Sequence, residues 1–221
     1  MTSAARPRPE SRRGLVPGPA PSLRGVGRTR SFSGEGAGAL SLTGVDLPTE
    51  QLRTGRLVLR PFRPEDADAV FRACQDPENQ RWLPALPAPY TRADADAFVT
   101  GVAVAGRAEG HALHTALEAD GELVGSSGLH HLGDGRLGPE IGYWVAPWAR
   151  GRGYAAEAAR ALADWAFAHG APRVHLFTDI ANTASQAVAE RAGFSREGVV
   201  RSCLGYRDGT RADAVLFGRV R

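Results

Sequence analysis

The segment from Glu140 to Gly170, EIGYWVAPWARGRGYAAEAARALADWAFAHG, constrains the fold more than any other part of the chain. A short apolar run stops at Pro147, a loop of arginines and glycines follows, and the next apolar residues recur at helical spacing. This order predicts a sheet strand leading through a loop into a helix that lies against the sheet. Ala155, Ala158, Ala159, Leu162, Trp165 and Ala166 share one helix face, and Glu157, Arg160 and Asp164 fall on the other at three- and four-residue intervals. The first four N–H groups of such a helix have no helical acceptor, and its dipole places roughly half a positive charge there. Gly151 and Gly153 leave the backbone open to close approach, so a phosphate is the natural guest.

The flanking sequence supplies the sheet. GRLVLRPF (55–62) reads as a first strand, RPEDADAVFRACQD as a helix, and YTRADADAFVTGVAVAG as a second helix with Thr91 as N-cap. HALHTALEA and ELVGSSGLHHL are two short strands joined at Asp120-Gly121, a strong hairpin signal, and GDGRLG makes a second turn into EIGYWVA. Beyond the long helix, RVHLFTDI is a fifth strand, NTASQAVAERAGF a short helix, and GVVRSCLGY and ADAVLFGRV two closing strands. The expected class is α+β, a single mixed, mostly antiparallel sheet of about seven strands with helices on both faces.

Composition narrows the chemistry. No Lys occurs among the 221 residues, which removes phosphate loops, Schiff bases and kinase-type sites that need a lysine amine. Residues 1–50 hold six Pro, eight Gly and seven Arg, and they read as a disordered tail ahead of a domain spanning 51–221. The excess positive charge belongs to that tail, whose scattered Arg without interleaved aromatics do not predict a nucleic-acid surface. Cys74 and Cys203 form no CxxC pair and the histidines show no ligand spacing, so no metal site is expected. No apolar run has the length of a signal peptide or membrane span, and a cytoplasmic protein is expected.

GRGYAA also satisfies GxGxxA, the dinucleotide fingerprint, with Asp179 where a ribose-binding acid would stand. Against that reading, Pro147 to Arg150 separate the strand from the first glycine. The preceding strands are hairpin-joined, and too little chain follows Asp179 to complete a doubly wound sheet. A purely structural glycine turn is the third alternative.

RGRGYA, Arg150 to Ala155, resembles the R/Q-x-x-G-x-G/A acetyl-coenzyme A signature of the GCN5-related N-acetyltransferase (GNAT) superfamily. RLVLRPFRPEDADAVF, EIGYWVAPWARGRGYA, Asn182 with Ser185, Gly193-Phe194 and YRDGTRADAVLFG are similar in order to the subfamily that acetylates ribosomal-protein N-termini, over about residues 52–220. The resemblance implies a GNAT fold splayed between its fourth and fifth strands. It implies acetyl-CoA as co-substrate and a primary amine as acceptor, a protein N-terminal α-amine, with a ribosomal protein as one substrate, or a small molecule. It also implies direct attack in a ternary complex by a monomer or homodimer. Backbone N–H groups of Arg152, Gly153, Tyr154 and Ala155 would take the pyrophosphate beside Gly151, with Arg150 and Arg152 adding charge, and Trp144 and Val145 would pair with the pantetheine arm. Asn182 would hold that arm, Ser185 would lie near sulfur, and Glu140 would be the general base. Glu190-Arg191-Ala192 stands where many relatives carry an acid tyrosine, which leaves Ser185, Tyr206 or water for that role. A non-catalytic acetyl-CoA-binding module is the alternative from a different class.

Overall fold

A computed structural model describes residues 40–132 and 137–221. Two short strands open it, β1 (Leu52–Arg53) and β2 (Val58–Arg60). The helices α1 (Ala67–Cys74), α2 (Pro77–Trp82), α3 (Arg92–Ala97) and α4 (Ala103–Ala108) follow, the last two joined through a π-helical turn at Phe98–Val102. Next come β3 (Ala112–Ala119), β4 (Glu122–His130), β5 (Glu140–Val145), α5 (Tyr154–Ala168) and β6 (Arg173–Asp179). The chain closes with α6 (Thr183–Arg191), β7 (Ser195–Gly205) and β8 (Arg211–Val220). One sheet holds all eight strands in the order β1-β2-β3-β4-β5-β6-β8-β7, antiparallel throughout except between β5 and β6.

Strand alternation sorts the core into two layers. Leu113, Leu129, Ile141, Val174, Leu176 and Phe217 point to one face and pack beneath α5 and α6, against Ala158, Leu162 and Ala189. Ala116 and Trp144 point to the other and meet Val70, Cys74, Val99 and Ala103 of the first helices. Each fully buried Leu or Phe in these layers contributes on the order of 1.5–3 kcal/mol. Arg60, 4% exposed, is held by both oxygens of Asp66 at 2.7 and 2.9 Å and by Glu118 at 2.6 Å. Removing one member of so buried a pair costs about 3–5 kcal/mol, because a charge is left without a partner.

Three expectations change. The sheet has an eighth strand, the two-residue β1, too short to show a period. Helix α2 lies between the first two helices read from the sequence, in a stretch to which no element was assigned, with Asp76 as its N-cap accepting from the Asn79 N–H at 3.0 Å. Residues 40–50, assigned by composition to the tail, pack on the domain: Leu47 is buried in the α5-side core, and Leu40, Leu42 and Val45 lie against it. The Trp165 indole donates to the Glu50 carboxylate at 3.0 Å, and the buried Arg107 guanidinium donates to the Glu50 carbonyl. The apolar residues here are few but correctly spaced for one side of a coil, and a Gly- and Ser-rich average hides them. Residues 1–39, the rest of the expected tail, lie outside the described residues, as does most of the GDGRLG turn.

Candidate active site

Strands β5 and β6 meet at one register position, Glu140 opposite His175, where the His175 N–H donates to the Pro139 carbonyl at 3.0 Å. Beyond it they diverge, which opens a gap in the middle of the sheet. The Ala146 N–H donates to Val124 of β4 at 2.9 Å, so the even-numbered backbone groups of β5 serve the β4 ladder. The N–H and C=O groups of Tyr143 and Val145 therefore face the gap. Trp144, expected beside Val145 as a backbone partner for a ligand arm, turns its carbonyl against Gly125, where an added Cβ would sit 2.4 Å from it. The parity of that pairing is a tertiary fact that sequence does not carry.

The loop at the mouth of the gap has the form the glycines require. Gly151 and Gly153 adopt φ of 76° and 80°, and Gly153 occupies the N-cap of α5 with no side-chain cap. Nothing lies within 4 Å of a Cβ built on Gly151. The helix start is thus an open, donor-rich concavity suited to a phosphate.

Two clamps hold this loop, neither legible in the motif. On one side Arg56 donates to the Arg152 carbonyl at 2.8 Å and to Glu157 at 2.8 and 2.5 Å, while Thr54 donates to the same carboxylate at 2.5 Å. On the other, Arg150 binds Asp76 and donates to the Asn79 side-chain oxygen at 3.0 Å. Arg150, expected to add charge to the ligand site, is thereby committed to α2. Partial burial would raise both carboxylates, but hydrogen bonds from Arg150 to Asp76, and from Thr54 and Arg56 to Glu157, outweigh it and hold both below their ordinary range.

Glu140 shares its sheet face with His130, Gly142 and Trp144. Burial raises its pKa above the ordinary value, opposed by the charge of His131. Asn182 caps α6 by accepting from the Ser185 N–H at 3.0 Å, which commits its oxygen and leaves its amide hydrogens. The Ser185 hydroxyl lies 2.9 Å from the Tyr143 hydroxyl, and Tyr143 also donates to the Ser185 carbonyl at 3.1 Å. Burial pushes the Tyr143 phenol up to about 12. Tyr143 escaped the sequence reading because its partner lies on another element. Tyr206 donates to Asp179 at 2.6 Å at the far end of β6 and is pushed up to about 12, by burial first and then by that carboxylate. Glu140 and Ser185 lie on opposite faces of the sheet, and no hydrogen bond joins them. Among the described residues no group of three or more His, Cys, Asp or Glu could hold a metal ion, and no helix is long and apolar enough to cross a membrane.

A mixed sheet parted between two parallel strands, with a helix N-terminus bared at the opening, is the architecture of a coenzyme A-dependent acyltransferase. The family model described as acetyltransferase (GNAT) domain matches residues 56–195, and the chain belongs to that family. YoaA of Bacillus subtilis, an uncharacterized N-acetyltransferase, is 29% identical over 77% of this chain and 96% of its own length. YdaF of the same organism, provisionally named a ribosomal N-acetyltransferase, is 37% identical over 103 residues, 46% of this chain; the chain spans 56% of that relative's length. The solved structure of Mycobacterium smegmatis RimJ in complex with CoA-disulfide superposes with a TM-score of 0.67 at 28% identity, over 78% of this chain and 86% of that one.

Proposed function

We propose that the protein transfers the acetyl group of acetyl-CoA to the α-amine of a protein N-terminus, with a ribosomal protein as the substrate class. The observation that carries the transfer is the gap between β5 and β6, with the backbone N–H and C=O of Tyr143 and the N–H of Val145 turned to it, the Val145 carbonyl accepting from the Asn79 amide at 3.5 Å, and the open start of α5 at its mouth. The names of YdaF and RimJ support the acceptor. The loop amides of Arg152 to Ala155 take the pyrophosphate, and the pantetheine arm runs along Tyr143 and Val145. A backbone N–H of β5 polarises the thioester carbonyl and stabilises the oxyanion of the tetrahedral intermediate.

Glu140 sits on the α1–α4 face of the sheet and the Tyr143–Ser185 pair on the α5–α6 face. The amine arrives on the first face and yields its proton to Glu140, whose raised pKa brings it nearer the operating pH of a general base. Sulfur leaves toward the second face, where the Tyr143 or Ser185 hydroxyl supplies its proton.

A pH series of kcat/KM, followed by release of free thiol, tests this on a peptide with a free N-terminus and on the same peptide blocked there but carrying an internal lysine. An α-amine is roughly 10–15% neutral at pH 7 and a lysine amine only about 0.04%, so the α-amine leans less on its base. Glu140→Gln should lower kcat/KM on the free peptide by about 10 to 100-fold, with part of the loss recovered at pH 9. Faster turnover of the blocked peptide excludes the N-terminal acceptor, and binding without turnover on any amine favours a non-catalytic module.

A further inference from the structure

We propose that Glu140 and His175 act together as a two-group base, the carboxylate receiving the proton of the attacking amine and passing it to Nε2 of the imidazole. This rests on Glu140 as the base. His175 would touch no substrate; it acts through Glu140.

The placement is specific. The two residues form the one parallel register pair of the sheet, so their side chains stand side by side on one face at the apex of the gap. His175 Nε2 lies 3.7 Å from Glu140 Oε2, and His175 is 5% exposed. That separation is too long for a hydrogen bond and closes by about 1 Å once a proton is shared. No hydrogen bond ties either side chain to another side chain among the described residues, the backbone of Pro139 and Leu137 favours the protonated imidazole, and His175 Nδ1 is buried without a hydrogen-bond partner.

The neighbours of the pair come from both flanking strands. On the β8 side, the Arg173–Glu197 ion pair covers Gly218, the register neighbour of His175, where an added Cβ would lie 2.2 Å from Glu197 and 2.6 Å from Arg173. Arg173 is paired with Glu197, yet after burial its charge is the largest influence that lowers the His175 pKa. Phe177 packs its ring edge-on against the imidazole at 5.4 Å. On the β4 side stands His130, the register partner of Glu140, its ring over Gly142 and packed against His114 at 4.9 Å. His131 acts on both members through its charge. Burial is the largest influence on Glu140 and on His175 alike, and it favours the uncharged form of each.

The step balances. The amine nitrogen bonds to the carbonyl carbon, the C–S bond breaks, and its electron pair leaves on sulfur as thiolate, which takes a proton from the Tyr143 or Ser185 hydroxyl; solvent returns that proton to the hydroxyl. One proton passes from the nitrogen to a Glu140 oxygen and on to Nε2 of an imidazole protonated at Nδ1. What remains is a carboxylate–imidazolium pair, cheaper to bury than a lone charge.

Thiol release from acetyl-CoA is measured across pH for the wild type, Glu140→Gln, His175→Gln and the double variant. His175→Gln should lower kcat/KM at pH 7 by about tenfold with KM for acetyl-CoA unchanged. The double variant should be no more than about twofold worse than Glu140→Gln, because members of one unit are not additive. Losses that multiply, or His175→Gln at wild-type rates, overturn the pairing. Wild-type rates in Glu140→Gln instead remove Glu140 from the mechanism and leave no pair to test. Should His175→Gln misfold, the imidazole titration followed by NMR in the wild type and in Glu140→Gln decides: loss of the carboxylate should move the His175 midpoint to lower pH, and an unmoved midpoint overturns the proposal.

Discussion

Position 153 requires glycine for its backbone and for its ligand. A φ of 80° strains any β-branched residue, and a Cβ there would stand 3.6 Å from the Arg56 guanidinium, inside the clamp that holds the Arg152 carbonyl. Gly153→Val should weaken acetyl-CoA binding at least tenfold while α5 keeps its helicity; calorimetry beside circular dichroism reads both, and unchanged affinity counts against the loop as the phosphate site. Gly151, Gly153, Asn182 and Ser185 were legible because each belongs to a local pattern that a ligand or a cap requires. Arg56, Tyr143, Asn79 and His175 were not. Tyr143 meets Ser185 across 42 residues of chain and Arg56 meets Glu157 across 101, and nothing local marks either partner.

Elements with a strong period or cap were readable. The period of α5, the Asp120-Gly121 hairpin with φ of 51° and 81°, and the Thr91–Asp94 capping box that starts α3 all follow from short-range chemistry. Helix α2 was hidden because its six residues are too few for a period, though Asp-Pro at its start is an N-cap signature. That helix matters, since through Asp76 and Asn79 it carries one of the two clamps on the phosphate loop. Both clamp carboxylates, Asp76 and Glu157, have depressed pKa values in the fold. Their stabilisation is therefore complete above the ordinary values of 3.8 and 4.5 and is lost as pH falls through the lower folded values. The melting temperature should hold from pH 7 to about 5 and drop below about 4. Asp76→Asn with Glu157→Gln should lower it at pH 7 and flatten the acid drop; an unflattened drop would place the acid-sensitive groups elsewhere.

At the scale of the molecule, the mixed sheet and its splay were expected, and the domain boundary was not. Composition averaged over 50 residues conceals Leu47, which is 4% exposed in the core. Starting the chain at residue 49 should lower the melting temperature by several degrees, whereas a start at residue 40 retains every contact described for this segment. Leu47→Ala alone should cost about 2 kcal/mol, or roughly 4–8 °C. A full-length melting temperature in the chain starting at residue 49 would mean that these contacts stabilise nothing. The parting of β5 from β6 also creates an edge inside the sheet. The outward-facing backbone groups of Tyr143 and the N–H of Val145 on one side, and those of the upper half of β6 on the other, form the kind of unpaired margin that invites a foreign strand. In a solution without co-substrate this interior margin is a point of entry for misassembly, and filling it should guard the protein as a paired neighbour guards an outer strand. Coenzyme A at 100 times its Kd adds about 2.7 kcal/mol of stability by mass action. It should also slow amide exchange first at Tyr143, Val145 and Phe177, and suppress aggregation on mild heating by more than that stabilisation alone accounts for.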